Sequence, residues 1–168
     1  VSAFLLNRSS DLEIDKKALD YLRTQIMDTT TKDNVPFAKR IFLSRKDCNR
    51  RNINENELKP ILDKYGFEFV YSGEMDILSQ ARMFNQAEYI IGPSGAAFTN
   101  LLFCSKGCQV LLFVSHHHNT TCYSSLAAPL DVDTLFLAGN GNTTKLQSRF
   151  YKINPELLEQ YLQNLFGQ

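Results

Sequence analysis

Tyr89-Ile-Ile-Gly-Pro-Ser-Gly-Ala-Ala-Phe-Thr-Asn-Leu-Leu-Phe103 decides the fold. A short apolar run leads into Gly92-Pro-Ser-Gly-Ala96, and a helix-compatible segment follows. This order reads as a buried strand delivering a small-residue turn to a helix start. The first N–H groups of a helix have no internal acceptor and the helix dipole favours negative charge there, so such a turn can hold a phosphate. A nucleotide-type ligand is the first expectation.

Outward from that stretch, strand and helix signals alternate. Leu12 to Met27 carries apolar residues at roughly helical spacing, with Ser10 as cap and Glu13 three residues on. The polar run Asp28 to Asn34 separates it from a β-rich segment, Arg40-Ile-Phe-Leu-Ser44. Asn54 to Tyr65 is helical, with Asn54 as candidate cap and Gly66 as stop. Phe67 to Tyr71 reads as strand, Ile77 to Gln86 as helix, Glu88 to Ile91 as strand and Ala96 to Cys104 as helix. Gln109 to Val114 is the next strand, then come a short helix around Tyr123 to Ala127, a strand at Thr134 to Leu137, and a closing helix at Pro155 to Phe166. Asn154 and Pro155 fit the start of that last helix.

Five strands alternating with helices predict an α/β fold, a Rossmann-like parallel sheet with helices on both faces, because parallel neighbours need helix-length crossovers. Residues 1–39 form a leading segment and helix packing on the domain, and 40–168 the nucleotide-binding unit, one compact body overall. Ligands of such sheets sit beyond the carboxyl ends of the strands, near the point where strand order reverses. The residues presented there are Ser44-Arg45, Tyr71-Ser72-Gly73, Gly92 to Gly95, Ser115 to His118 and Ala138-Gly139. Arg45, with Lys46, Arg50 and Arg51 behind it, could grip a pyrophosphate bidentately opposite the turn. The plainer reading of those residues is a solvated basic loop.

Composition narrows the classes. In 168 residues, 43% are hydrophobic and 21% charged, enough for one domain with a proper core. Eighteen basic and eighteen acidic residues give a formal net charge of zero, so no global field awaits a nucleic acid. No apolar run reaches the ~20 residues that span a bilayer, and the amino end lacks a signal-peptide layout. The chain opens at Val1 without an initiator Met and is taken for a piece of a longer or processed protein. Cys48, Cys104, Cys108 and Cys122 lack a CxxC spacing and read as free thiols. Asn-x-Ser/Thr sites at Asn7, Asn119 and Asn142 are close to what chance gives in a chain this rich in Asn.

Other motifs of similar look fit less well. The turn lacks the Lys-Ser/Thr of a P-loop and is not Gly-x-Gly-x-x-Gly. Gly92-Pro-Ser94-Gly-Ala96 approaches a Gly-x-Ser-x-Gly nucleophile elbow, but His116 to His118 precede Asp131 and Asp133 and no His follows them, against the triad order of that fold. Three adjacent histidines cannot share one metal from regular structure, and no Cys or carboxylate stands at ligand spacing to them. His116 is kept as a candidate phosphate or sugar contact. Glu74, Asp76 and Asp47 near strand ends form no convincing acid/base pair.

Several motifs in order carry a resemblance. Arg40-Ile-Phe-Leu-Ser-Arg45, Arg50-Arg-Asn-Ile-Asn-Glu55, Leu62-Asp-Lys-Tyr-Gly-Phe67, Gln80 before Phe84-Asn-Gln-Ala87, and Ile91-Gly-Pro-Ser-Gly-Ala-Ala-Phe-Thr-Asn100 with Phe103 and Gly107 resemble the glycosyltransferase family 61 pattern. The match is strong over Arg40 to Val114 and weaker through the closing helix. It implies the carboxyl-terminal, donor-binding half of an inverting enzyme with paired Rossmann-like halves, of capsular-polysaccharide or related type. Such an enzyme transfers a sugar from a nucleotide-sugar donor to a glycan acceptor held by a missing amino-terminal half. By position, Arg45 and Arg50 would face the donor pyrophosphate, and Gly92, Pro93, Ser94, Gly95 and Ala96 would present N–H groups to it. Asn100 would hold the turn, and Gln80 would lie on the helix flanking the nucleotide; Glu74, near a strand end, is kept beside them as a candidate nucleotide or sugar contact. No metal or other cofactor is implied, and no Asp-x-Asp pair is present to hold one. Ser94 stands where the family usually has His, and Ala97 where it often has Gly. These departures keep a non-catalytic nucleotide-binding module or scaffold open as the alternative. The isolated chain is expected to bind donor weakly or not at all and to lack transferase activity. The resemblance favours a bacterial cytoplasm, with an endoplasmic reticulum or Golgi lumen as the alternative.

Overall fold

The computed structural model describes residues 14–30, 36–46, 52–115, 121–141 and 150–167. The elements in chain order are α1 (Lys16–Thr30), β1 (Arg40–Leu43), α2 (Glu55–Lys64), β2 (Glu68–Val70), α3 (Ile77–Gln86), β3 (Tyr89–Pro93), β4 (Gln109–Ser115), α4 (Thr121–Ala127), β5 (Asp133–Gly139) and α5 (Pro155–Phe166). Short 3-10 helices stand at Ser72–Glu74, Ala96–Phe103 and Ala128–Leu130. The five strands form one parallel sheet in the order β2-β1-β3-β4-β5. The expected α/β Rossmann-like architecture is the observed one.

Why the strands read as unbroken apolar runs is plain from their two faces. Side chains alternate across a strand, so a sheet covered on both sides needs apolar residues at every position. Ile41, Leu43, Ile90, Val110 and Leu112 pack on one face with Leu19, Ala81, Met83, Phe84, Phe98 and Tyr123. Phe42, Ile91, Leu111 and Phe113 pack on the other with Leu58, Leu62, Leu158 and Leu162. So α1, α3, α4 and the Ala96–Phe103 helix cover one side, and α2 and α5 the other. Phe42 and Phe113 are fully buried with ring centroids 6.3 Å apart, each contributing about 2–3 kcal/mol by burial. The α1 helix belongs to this same core through Leu19, Ile26 and Met27.

The edges of the elements differ from the sequence expectation in ways that have causes. The α1 helix starts later than Leu12, where the Asp15 carboxylate accepts the Lys17 N–H at 2.8 Å; the expected cap Ser10 and its partner Glu13 lie outside the described residues. It runs on to Thr30, into the polar stretch read as a separator, with the Thr24 and Thr29 hydroxyls donating to Asp20 and Ile26 carbonyls of its own turns. Asn54 occupies the cap position of α2, but its side chain makes no cap bond. It pairs instead with the Ile153 backbone, donating to the carbonyl at 3.0 Å and accepting the N–H at 2.8 Å, which ties α2 to the segment entering α5. Strand β3 runs on through Gly92 and Pro93, and β5 from Asp133 to Gly139, because β4 pairs with β3 over Gln109 to Phe113 and with β5 over Gln109 to Ser115.

The segment after the turn is a 3-10 helix rather than an α-helix. Its buried residues Phe98 and Leu101, and Asn100 and Phe103, are each three apart, and the 3-10 ladder is the helix in which residues three apart eclipse. Cys104 and Cys108 are free and buried, and Cys122 is free and exposed. The hydrogen bond with the Cys108 thiol, and then burial, push the Cys104 thiol well up, so it is an inert core group. Among the described residues no helix is long and apolar enough to cross a membrane.

Candidate functional site

The order β2-β1-β3-β4-β5 reverses between β1 and β3, so the sheet's topological switch point lies between the ends of those two strands. Arg45 leaves one of them and Gly92 to Ala96 leaves the other. Phe42 pairs with Ile91, which sets Leu43 beside Gly92. A Cβ on Gly92 would meet the Leu43 carbonyl at 2.9 Å and its Cβ at 3.0 Å. Glycine here lets the two strand ends close up.

Gly95 serves differently. Its backbone is extended, with φ −178° and ψ 177°, which any residue adopts. The space its side chain would fill is held by the Arg45 guanidinium, since a Cβ would fall on Nη1 and lie 2.9 Å from Cζ. From that place Arg45 Nη1 donates to the Ser94 carbonyl at 3.3 Å.

Hydrogen bonds fix which way the turn's peptides face. The Ser94 N–H donates to the Phe113 carbonyl at 2.9 Å, continuing the sheet. The Gly95 carbonyl accepts from the buried Tyr123 hydroxyl at 3.3 Å and from the Phe98 N–H at 3.0 Å. In trans peptides C=O and N–H point opposite ways, and the described chain has no cis bond. The Gly95 N–H therefore faces away from Arg45, and the Ala96 N–H away from Tyr123. With Ala97 they form the donor end that a helix leaves unmet. Ser94 is 1% exposed and its Oγ has no hydrogen-bond partner. A buried hydroxyl left unpaired costs about 1–3 kcal/mol and calls for an explanation.

The remaining candidates fall at several places. Pro93 closes β3 and is buried, while Ala96 is exposed. The Asn100 amide donates to Gln80 Oε1 at 2.7 Å, and Gln80 Nε2 donates to the Met75 carbonyl at 2.9 Å. This chain lashes the 3-10 helix to the start of α3. Glu74 is exposed in the 3-10 turn after β2, at the sheet's outer strand. Arg50 and His116 lie outside the described residues, as do Asp47, His117 and His118. Asp76 is the cap of α3, accepting the Ser79 N–H at 2.9 Å and the Ser79 hydroxyl at 2.7 Å. The Ser79 backbone bond, and then its hydroxyl, hold this carboxyl below its ordinary value.

The nucleophile-elbow reading meets two obstacles. An elbow strains its Ser and exposes Oγ, yet Ser94 is buried and the only non-glycine with positive φ among the described residues is Asp131. Asp131 and Asp133 also stand at the start of β5, the opposite end of the sheet. Among the described residues no three His, Cys, Asp or Glu side chains group where they could hold a metal ion.

Residues 4–111 match the family described as Glycosyltransferase 61. The chain belongs to glycosyltransferase family 61. The match in this family 61 chain begins ahead of α1 and ends inside β4, at Leu111. It takes in the switch point and both strand ends that form it. No curated protein matches the chain.

Three contributors to the site escape a sequence reading. Glu55 accepts the Arg45 N–H at 2.8 Å and the Ser44 hydroxyl at 2.5 Å. Tyr123 reaches the turn from α4. Tyr151 donates to the same Phe113 carbonyl that receives the Ser94 N–H, at 2.8 Å. Glu55 closes the Arg50-to-Glu55 motif, four residues past Arg51 at a helix start, with no role legible for it; nothing in the sequence signalled the contacts of the two tyrosines.

Proposed function

We propose that this family 61 domain binds the diphosphate of a nucleotide-sugar donor at the β1/β3 switch point, as the donor half of an inverting glycosyltransferase. The observation that carries the reading is the convergence of Arg45 with the turn at Ser94 to Ala97. A guanidinium, the unmet N–H groups of the helix start at Ala96 and Ala97, and a buried hydroxyl in want of a partner stand at one strand junction. Together they are hydrogen-bond donors of the kind that receives an oxyanion.

Inverting transfer needs a base to take the acceptor's proton and positive groups to stabilise the departing nucleoside diphosphate. Arg45 and the turn supply the second need here. The guanidinium offers two parallel N–H donors to a pyrophosphate; the turn meets the same group through N–H donors that need no reorganisation. Charge neutralisation by these groups is work that a divalent cation does in other transferases, so this site needs no metal. The acceptor is a glycan or polysaccharide, of capsular type in a bacterial cytoplasm, and the base comes from an acceptor-binding half.

Titration of the chain with nucleoside diphosphates tests the proposal. Weak, saturable binding is expected, and Arg45→Ala should lower it about a hundredfold, to below detection, as loss of a charge-assisted bidentate contact does. The thermal midpoint should hardly move. Binding that survives Arg45→Ala unchanged would sink the donor site, and no binding to any nucleoside diphosphate would favour a scaffold derived from this fold.

A further inference from the structure

We infer that Glu55 is a positioning residue that sets the Arg45 guanidinium over the turn, an inference that rests on the donor-site reading above. Glu55 is the first residue of α2 and only 9% exposed. A carboxylate buried that far is costly unless its oxygens are met. Both are met by the chain leaving β1: Ser44 Oγ donates to Oε2 at 2.5 Å and the Arg45 N–H to Oε1 at 2.8 Å. Ser44 Oγ in turn accepts the Lys46 N–H at 3.3 Å. One carboxylate therefore fixes three consecutive residues at the point where the chain quits the sheet. Its place in the first turn of a helix suits a negative charge.

The consequence for Arg45 is geometric. Its backbone is pinned by Glu55 on the α2 side of the sheet, and its side chain crosses to the β3 turn, where Nη1 reaches the Ser94 carbonyl and fills the hollow at Gly95. A long side chain amplifies any swing of its backbone anchor. Gln at position 55 keeps the shape but has one acceptor oxygen in place of two and no charge. It would loosen Ser44 to Lys46 and let the guanidinium leave its seat.

A residue that only joins β1 to α2 would affect stability without moving Arg45, so the test reads both. The full chain is prepared as wild type, Glu55→Gln, the milder Ser44→Ala, and Leu58→Val, a core change in the same helix away from the loop. Each is followed by thermal midpoint, by the Arg45 Nε–H signal in a 15N-arginine spectrum assigned with Arg45→Lys, and by titration with uridine diphosphate. Glu55→Gln is expected to move the Arg45 signal to the position of free arginine and weaken uridine diphosphate about tenfold. Ser44→Ala should shift both in the same direction by less, and Leu58→Val should lower the midpoint while leaving both in place. An Arg45 signal that stays put in Glu55→Gln and Ser44→Ala, or that moves equally in Leu58→Val, overturns the inference. An Arg45 signal that moves as expected while uridine diphosphate affinity is unaffected, or absent in the wild type, overturns the donor-site reading instead and leaves the Glu55–Arg45 linkage standing.

Discussion

Strand β1 has an arginine at each end, and the two live in opposite surroundings. Arg40 opens the strand at the amino edge of the sheet. Its Nη1 donates to the Tyr65 carbonyl at 2.7 Å, and its guanidinium carbon lies 3.8 Å from the Phe166 ring centroid and 5.6 Å from that of Tyr89. Phe166 stacks in turn on Tyr65 and meets Tyr89 edge-on. Arg45 follows the strand at the carboxyl edge, where its Nη1 bond to the Ser94 carbonyl is 3.3 Å long and the neighbouring Ser94 hydroxyl has no partner. Arginine's chemistry is the same in both places. What separates a latch from a binding group is whether a neighbouring donor is still unused, and at the carboxyl edge the Ser94 hydroxyl is. The contrast is one of degree, since the Tyr65 hydroxyl near the latch is also buried without a partner.

Replacing each arginine in turn is the largest perturbation of that contrast. Arg40→Ala removes a hydrogen bond to a carbonyl and a cation held against two rings, and should cost about 2 kcal/mol. For a chain of this size that is a fall of about 6 °C in thermal midpoint. Affinity for a nucleoside diphosphate, corrected for the folded fraction, should not change. Arg45→Ala should show the reverse pattern. If Arg40→Ala loosened nucleotide binding as much as it lowered the midpoint, the two ends of β1 would not be separable and the division of roles would fail.

A finer cut is Gly95→Ala. The extended backbone at Gly95 accepts any residue, and the atom a methyl would displace is the tip of a flexible side chain. Stability should therefore stay within about 0.5 kcal/mol of wild type, helped by the reduced freedom of the unfolded chain. Nucleoside diphosphate binding should fall by roughly tenfold, as the guanidinium is pushed from its seat and loses its alignment. Calorimetric titration alongside a melting curve reads both. A stable Gly95→Ala variant with wild-type affinity would mean that the seat seen for Arg45 is not the one that binds.

Much of this was legible in sequence, for reasons visible in particular residues. Arg40 to Leu43 and Gln109 to Ser115 announce themselves because a strand buried on both faces has to be apolar throughout. The helices α3 and α5 fall where expected, Ile77–Gln86 and Pro155–Phe166, because Asp76 and Asn154 cap them with their own side chains. Legibility ends where a role is set by what arrives from elsewhere. Asn54 looks like a cap until Ile153, far along the chain, claims its amide. Glu55 looks like an ordinary first-turn acid until Ser44 and Arg45 close on it. An α-helix and a 3-10 helix share buried positions three apart, so Ala96 to Phe103 reads as either. The site's position was legible through the strand alternation and the small-residue turn; its supports, Glu55, Tyr123 and Tyr151, were fixed by tertiary approach alone.

The smallest effect separates two polar groups at the same carboxyl edge. Asp76 stands between the 3-10 turn after β2 and α3, close in sequence to Glu74, and like Glu74 it looks from sequence like a candidate acid. Both its oxygens are engaged by Ser79, whereas the Ser94 hydroxyl has no partner. Because the Ser79 bonds lower its folded-state value, the stability it lends is fully present above the ordinary aspartate value of 3.8 and is lost as pH falls through the depressed one. Asn at this position still accepts the Ser79 N–H and caps well, but it does not titrate. Asp76→Asn should thus melt slightly below wild type at neutral pH and draw level with it as the pH drops below about 4. Nucleoside diphosphate affinity should be the same in both proteins. Melting curves that run parallel down to pH 3 would show that the carboxylate's charge does nothing for α3. A loss of affinity in Asp76→Asn would draw Asp76 into the site and blur the line between the engaged acid and the waiting hydroxyl.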